Sequence, residues 1–498
     1  MRRRLSAALI ALFAVAGGMP TSAAVADLQT ATPIKYLVVI FDENNSFDHY
    51  FGTYPNAENP PGEPPFAARP GTSTVNGLTP GLLAHNPNAA APFRLGRAMA
   101  HTCDNDNHYK DEQLAYNAGL LDGFVQLSAQ GKECTPNLAM GYYDGNTVTA
   151  LWNYAQRFAM SDHFFATTFG TTTMGHLNLI AGQTHGAVPA AVPGAVANGS
   201  IIGNVNPTGD DCAGGAKVQM GSRTIGDLLT ARGTSWGWFY DGWAPVGTKD
   251  GNAVCREDYN PHYAPFQYYA STLNPHHLPP PSAAAIGQTD QARHQYDVTD
   301  FWRALGAGAL PAVSFVKPKV NETGHPDDSN PLLEQRFLVD TLNRLQRSRE
   351  WNAIAVLITY DDSDGWYDHV MPPIVSRSND PANDALLGPE RLCGLPSAGA
   401  YLDRCGYGPR LPLLVISPFA KSNYVGHTTA DQSSIIRFIE DNWLNGERVQ
   451  PGGSFDTIAG TLANMFDFDR HDFVARKVFL DETTGVVTAA VPGDDGRD

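Results

Sequence analysis

Two clusters of oxygen- and nitrogen-bearing side chains each follow directly on an apolar run. Asp42-Glu43-Asn44-Asn45-Ser46-Phe47-Asp48-His49 follows the run 36–41 (YLVVIF). Asp361-Asp362-Ser363-Asp364-Gly365-Trp366-Tyr367-Asp368-His369 follows the run 353–360 (AIAVLITY). Carboxylate and amide oxygens are hard ligands suited to a divalent cation. Carboxylates crowded together are costly without one. Adjacent residues on a strand point to opposite faces, so Asp361 and Asp362 share one ion only if the chain turns there. Ser363, Asp364 and Gly365 supply turn chemistry. A solvated acidic turn is the plain alternative for either cluster alone; two such clusters favour the metal reading. A third segment, Phe169-Gly170-Thr171-Thr172-Thr173-Met174-Gly175-His176, sets hydroxyls ahead of an apolar helix. Such a helix start can hold a hydroxyl nucleophile beside N–H groups that favour an anion. The same threonines would also serve as a plain helix cap.

These residues need strands and helices to position them. Apolar runs at 36–41, 235–240, 312–316, 353–360 and 411–416 read as strands. Helical patterns fall between them at about 147–158, 175–182, 224–232, 297–306, 331–348 and 430–444. Strands alternating with helices predict an α/β fold, a mostly parallel sheet covered by helices on both faces. In such sheets ligands bind outside the carboxyl ends of the strands, where both acidic clusters fall. The Pro-, Gly- and Asn-rich stretches 53–95 and 243–292 read as long excursions forming a cap over that edge.

At the N-terminus, Arg2-Arg3-Arg4, an apolar stretch from Leu5 to Ala16 and the Ala24-Val25-Ala26 site predict a secretory signal peptide over 1–26. The arginines also permit twin-arginine export. No later segment is apolar for long enough to cross a bilayer, so the mature chain carries no predicted integral membrane segment. Six cysteines, an even number, predict three disulfides in an oxidising compartment, periplasmic or outside the cell. Chain order makes 103–134, 212–255 and 393–405 the simplest pairing. A net charge of −17 argues against nucleic acid as a partner and against docking on anionic membranes. A loose acidic tail is expected over 485–498.

The chain resembles the exported bacterial phosphoesterase family that contains phospholipases C and AcpA-type acid phosphatases. The segment 43–52 (ENNSFDHYFG) looks like the family's opening E-N-x-S-F-D-H-Y-F-G. Tyr360-Asp361-Asp362-Ser363-Asp364-Gly365 and Asp368-His369-Val370 look like its Y-D-[DE]-x-D-G and D-H-V. The resemblance implies an alkaline-phosphatase-like phosphoesterase domain over 27–484 and a metal-activated hydroxyl that becomes phosphorylated. It implies one divalent metal ion, of identity left open, held by Glu43, Asn44, Asp361, Asp362 and the nucleophile. The family's G-P-[ST]-x-P-[GN] turn falls on Gly170 to Gly175, which makes Thr172 the nucleophile. Both prolines are replaced, by Thr171 and Met174.

The resemblance also nominates histidines. His325, and His277 in preference to His276, are expected to bind phosphate or protonate the leaving group. His108 is expected to take an active-site role, although Asn107-His108 reverses the usual order. Expected substrates are small phosphate esters. The pair Asp361-Asp362, Gly175 with Asn178, and the Asn274-Pro275-His276-His277 run lean toward a monoester-cleaving acid phosphatase. Protonated imidazoles beside phosphate also fit an acidic working pH. Phospholipid head groups remain the alternative substrate, for phospholipase C action. A catalytically dead binding protein is a third reading. No C/S-x-P-x-R segment adjoins Gly170, which disfavours a sulfatase.

Overall fold

The computed structural model describes residues 29–128, 134–469 and 474–491. The signal peptide expected over 1–26 and the last residues of the expected tail lie outside these. Eight strands form the main sheet: β1 (Tyr36–Asp42), β2 (Ala159–Ser161), β3 (Trp236–Tyr240), β4 (Gln295–Asp297), β5 (Val313–Lys317), β6 (Ile354–Tyr360), β7 (Leu413–Ile416) and β8 (Tyr424–Gly426). Their order across the sheet is β4-β3-β5-β1-β6-β7-β2-β8. Pairing is parallel except at β7, which runs antiparallel to both β6 and β2. Strands β1 and β6 sit side by side at the centre, and every residue of β6 is buried. Unbroken apolar runs are what a strand covered on both faces requires.

Four helices matter most to the site: α1 (Tyr109–Tyr116), α2 (Thr172–Ala181), α3 (Pro331–Arg347) and α4 (Gln432–Trp443). Side-chain alternation along β1 separates two of them. Phe41 points to α2, where its ring meets that of His176 edge-on at 4.9 Å. Asp42 and its register partner Tyr360 point the other way, toward α3, where the Tyr360 hydroxyl donates to Glu334. Residues 53–95 and 243–292 carry few regular elements; they include the helix Pro80–Ala84 and a ribbon of Gly247–Lys249 with Asn252–Val254. The disulfides are Cys103–Cys134, Cys212–Cys255 and Cys393–Cys405. Among the described residues, no helix is long and apolar enough to cross a membrane. One difference from the sequence reading falls at the end of the chain. Val487–Val491, expected to be loose, is a strand paired antiparallel with Lys477–Leu480.

Candidate active site

The register that sets Asp42 beside Tyr360 brings the two acidic clusters together at the carboxyl ends of β1 and β6. Asn44 N–H donates to Asp361 Oδ1 at 3.0 Å, and Asn45 N–H to the Asp362 carbonyl at 2.9 Å. Asn44 takes φ = 60°, a left-handed conformation that asparagine tolerates better than most residues. After Asp362 the chain turns through Asp364 at φ = 53° and Gly365 at φ = 68°. The carboxyl and imidazole groups lying within 4.8 Å of one another here are those of Glu43, His176 and Asp361, not Asp362.

The four expected ligand residues share a pattern. Each has one polar atom held by protein and one buried oxygen without a partner. The Glu43 Oε1 pairs with the Lys317 ammonium, leaving Oε2 without one. Asn44 Nδ2 donates to Asp364 Oδ1 at 3.1 Å, leaving Oδ1. Asp361 Oδ1 accepts from the Asn44 and Asp362 N–H groups, leaving Oδ2. Asp362 Oδ1 accepts from Asp364 N–H at 2.8 Å and Asn107 Nδ2 at 3.0 Å, leaving Oδ2. Buried polar atoms are normally hydrogen-bonded, so four such oxygens on neighbouring residues need an explanation. Burial is the main reason that Glu43, Asp362 and Asp364 stand well above the usual carboxylate range, with neighbouring acidic side chains adding to it. Oriented, electron-rich and costly to ionise alone, this donor set fits a hard divalent cation.

Helix α2 lies directly against these residues. A Cβ on Gly175 would fall 2.2 Å from the Asp361 carbonyl oxygen, so only glycine permits this approach. At the next residue, His176 Nδ1 donates to the Thr172 carbonyl at 2.9 Å and lies 3.7 Å from Asp361 Oδ2. Its Nε2 lies 3.7 Å from Glu43 Oε1. Burial keeps this imidazole well below its ordinary pKa, so it is neutral. Glu43, His176 and Asp361 are grouped closely enough to contact one ion.

The three threonines have different partners. Thr171 Oγ1 donates to Asn204 Oδ1 at 3.1 Å, and Thr173 Oγ1 lies 3.0 Å from the same oxygen. Thr173 Oγ1 is also 3.1 Å from His262 Nδ1. Among the described residues, the Thr172 hydroxyl alone of the three has no hydrogen-bond partner.

The nominated histidines fare differently. His325 joins the site: its Nε2 is 3.2 Å from Asn44 Nδ2, and its Nδ1 donates to the Pro326 carbonyl at 2.6 Å. His277 does not. Its Nδ1 donates to the Trp243 carbonyl at 2.9 Å, its Nε2 is 3.0 Å from Asp210 Oδ1, and its ring stacks on Trp243 at 3.8 Å. Both nitrogens are committed, so no atom is left for phosphate. His276 is exposed and bonds Asp211 at 2.7 Å. The His108 side chain is 68% exposed and bonds Asp106 at 2.6 Å. It is Asn107, its neighbour, that reaches Asp362. Among the described residues, no hydrogen bond joins His108, His276 or His277 to Glu43, Asn44, Asp361 or Asp362, unlike His325.

Several side chains at the site were not singled out from sequence. His176 lies on an apolar helix and reads as core. Lys317 ends β5, fully buried, with its ammonium 4.2 Å from the Tyr263 ring centre. Tyr263 stacks on His176 at 5.6 Å between centroids. His262 precedes it; burial lowers its pKa to about 4. Glu112, on α1, accepts from Ser363 Oγ at 2.6 Å and from Gly170 N–H at 2.8 Å. Burial raises it to about 8. The one sequence signal for Asn107 and Glu112 was their place close after Cys103, in the segment that also holds His108.

A parallel-sheet α/β fold with oxygen donors and a free hydroxyl at the central strand ends defines a class of hydrolase-like sites. Residues 34–444 match the Phosphoesterase family, and the chain belongs to that family. A non-hemolytic phospholipase C of Pseudomonas aeruginosa is 24% identical over 452 residues, covering 87% of this chain and 57% of that protein. Phospholipase C A of Mycobacterium tuberculosis is 24% identical, covering 88% and 78%. Non-specific phospholipase C3 of Arabidopsis thaliana is 24% identical, covering 80% and 66%. The chain thus spans about three-fifths of the length of the first two curated relatives. Among solved structures, an alkaline phosphatase superfamily protein of Vibrio parahaemolyticus aligns with a TM-score of 0.32 and 12% identity, over 82% of this chain and 79% of that one.

Proposed function

We propose that this protein is an exported, metal-dependent phosphatase that cleaves phosphate monoesters through a phosphothreonine on Thr172. The observation that carries the reading is the quartet of unpartnered oxygens on Glu43, Asn44, Asp361 and Asp362, with a free threonine hydroxyl on the helix packed against them. These four residues and Thr172 would hold one divalent cation, with His176 beside it. When bound, such a cation lowers the pKa of the threonine hydroxyl and offsets charge on the phosphate oxygens.

The start of α2 favours the anionic phosphate by its dipole. Thr172 Oγ1 attacks phosphorus, its proton leaving to water; the Oγ1–P bond forms as the ester P–O bond breaks. His325, beside Asn44, would supply the proton that the departing alkoxide takes up. Water then attacks phosphorus, the Oγ1–P bond breaks, Thr172 regains a proton, and phosphate leaves. His262, beside the threonines, replaces His277 as the histidine of the 243–292 excursion that faces the reaction. The disulfides fit an oxidising compartment, in keeping with export.

Phospholipase C action is the second reading, favoured by the names of the curated relatives. The ratio of kcat/KM for p-nitrophenyl phosphate to that for phosphatidylcholine, measured from acidic to alkaline pH, separates the two. The monoester should be preferred, with its optimum below neutrality. Faster release of phosphocholine, or an alkaline optimum for the monoester, reverses the assignment. No turnover of either would favour a binding protein.

A further inference from the structure

Among the described residues neither Gly170 N–H nor Thr171 N–H bonds to another backbone group, although the Thr171 carbonyl accepts from Met174 N–H at 2.9 Å and Gly175 N–H at 3.3 Å. Gly170 sits at φ = 116°, a conformation that glycine enters freely and leaves as freely. The next residue is Thr171, where the resembling motif has proline, so φ at that position is not fixed by a ring either. Yet a nucleophile is useful only if held within about half an ångström of its reactive position.

Two side chains from elsewhere in the chain hold this turn. Asn204 is exposed, but its Oδ1 collects three donors: Thr171 Oγ1 at 3.1 Å, Thr173 N–H at 3.0 Å and Thr173 Oγ1 at 3.0 Å. They come from the residues immediately before and after Thr172. Glu112 is buried, and its two carboxyl oxygens face two parts of the site. One takes Gly170 N–H at 2.8 Å, at the hinge of the turn; the other takes Ser363 Oγ at 2.6 Å, between Asp362 and Asp364. A single carboxyl group thus sets the distance between the nucleophile turn and the aspartate loop.

We propose that Asn204 and Glu112 are positioning residues for the Thr172 hydroxyl, supplying by hydrogen bonds the rigidity that a proline at position 171 would supply covalently. The inference rests on the reading of Thr172 as nucleophile. Thr171 is ready for the exchange: its φ is −86°, near the value a proline ring imposes, and among the described residues its N–H makes no hydrogen bond. A proline there would forfeit the Thr171–Asn204 bond while narrowing the conformations open to the turn.

The test measures kcat and KM for p-nitrophenyl phosphate, bound metal by elemental analysis, and the melting temperature of the full-length exported protein. Asn204→Ala should lower kcat by roughly 10- to 100-fold, the scale of a small misplacement, with KM, metal content and melting temperature near those of the parent. Asn204→Asp, which keeps the acceptor, should retain most of the activity. Adding Thr171→Pro to Asn204→Ala should restore at least tenfold of a hundredfold loss. Glu112→Ala removes both oxygens that hold Gly170 N–H and Ser363 Oγ, and should lower kcat with metal content unchanged. Thr172→Ala, run alongside, tests the underlying reading: if it stays active, the nucleophile assignment fails first. With Thr172→Ala inactive, Asn204→Ala within threefold of the parent overturns the proposal. So does a loss that Asn204→Asp shares and Thr171→Pro does not relieve. Parental kcat in Glu112→Ala, or loss of its metal, overturns the assignment of Glu112.

Discussion

Replacing Asp48 by Asn should weaken the fold in a pH-dependent way, although Asp48 is in the family's opening motif and touches none of the ligand residues. Asp48 Oδ1 accepts from Arg410 Nη2 at 3.0 Å, and its Oδ2 accepts from the His369 ring and from His369 N–H at 2.8 Å. Arg410 also reaches Asp368, with Nε 3.1 Å from Oδ2. Arg410, Asp48 and Asp368 are essentially without solvent exposure. Removing one partner of a buried ion pair costs about 3–5 kcal/mol, because the other charge is left uncompensated. Asp368 still faces Arg410, so we expect the low end, about 3 kcal/mol. The sign with pH follows from two groups. Burial opposes the charged form of His369, yet Asp48 outweighs it and raises the imidazole above its ordinary value. That stability is full below the unfolded histidine pKa of about 6.5 and is lost as pH rises through the folded value. For Asp48, burial is outweighed by His369 and Arg410, and its pKa is lowered. That stability is present above about 3.9 and is lost as pH falls through the folded value. Urea unfolding of Asp48→Asn and parent at pH 5.5 and pH 9 measures both. The deficit should be larger at pH 5.5. A deficit below about 1 kcal/mol at both, or one larger at pH 9, refutes this account of the network.

Other outcomes follow from where side chains lie. His108→Ala should keep parental kcat/KM, because the ring is at the surface, whereas Asn107→Ala should weaken metal binding about tenfold by freeing Asp362 Oδ1; dialysis against graded chelator reads the difference. His277→Ala should lower the melting temperature by several degrees through the loss of its bonds to Asp210 and Trp243, with kcat per folded molecule unchanged. Glu43→Gln and Asp362→Asn should each lose bound metal and activity together by elemental analysis and p-nitrophenyl phosphate assay.

Much of the scaffold was legible because burial writes itself into runs of apolar residues. The runs 36–41 and 353–360 became β1 and β6 within one residue, and the pattern at 331–348 became α3. The strands at 159–161, 295–297 and 424–426 went unread, since three residues are too few to display a period. The gathering of the two acidic clusters at neighbouring strand ends was legible because each follows a buried apolar run, whereas the expected ligand set came from the motif resemblance. The histidines were not legible. His276-His277 looks chemical by type, yet Trp243 and Asp210 occupy the second ring entirely. His176 looks like core by its apolar neighbours, yet it stands between Glu43 and Asp361. Which nitrogen is free depends on partners distant in the chain. The adjacent threonines posed the same problem, and Asn204 distinguishes them by binding Thr171 and Thr173.

The most direct test of the central claim is to quench the metal-loaded enzyme in acid during turnover of a phosphate monoester and locate covalent phosphate by peptide mass spectrometry. The account predicts one phosphate on the peptide containing residues 170–176, fragmenting to Thr172, and none in Thr172→Ala. Phosphate on Thr171, on Thr173 or on a histidine, or full turnover with no phosphopeptide in either protein, would contradict it.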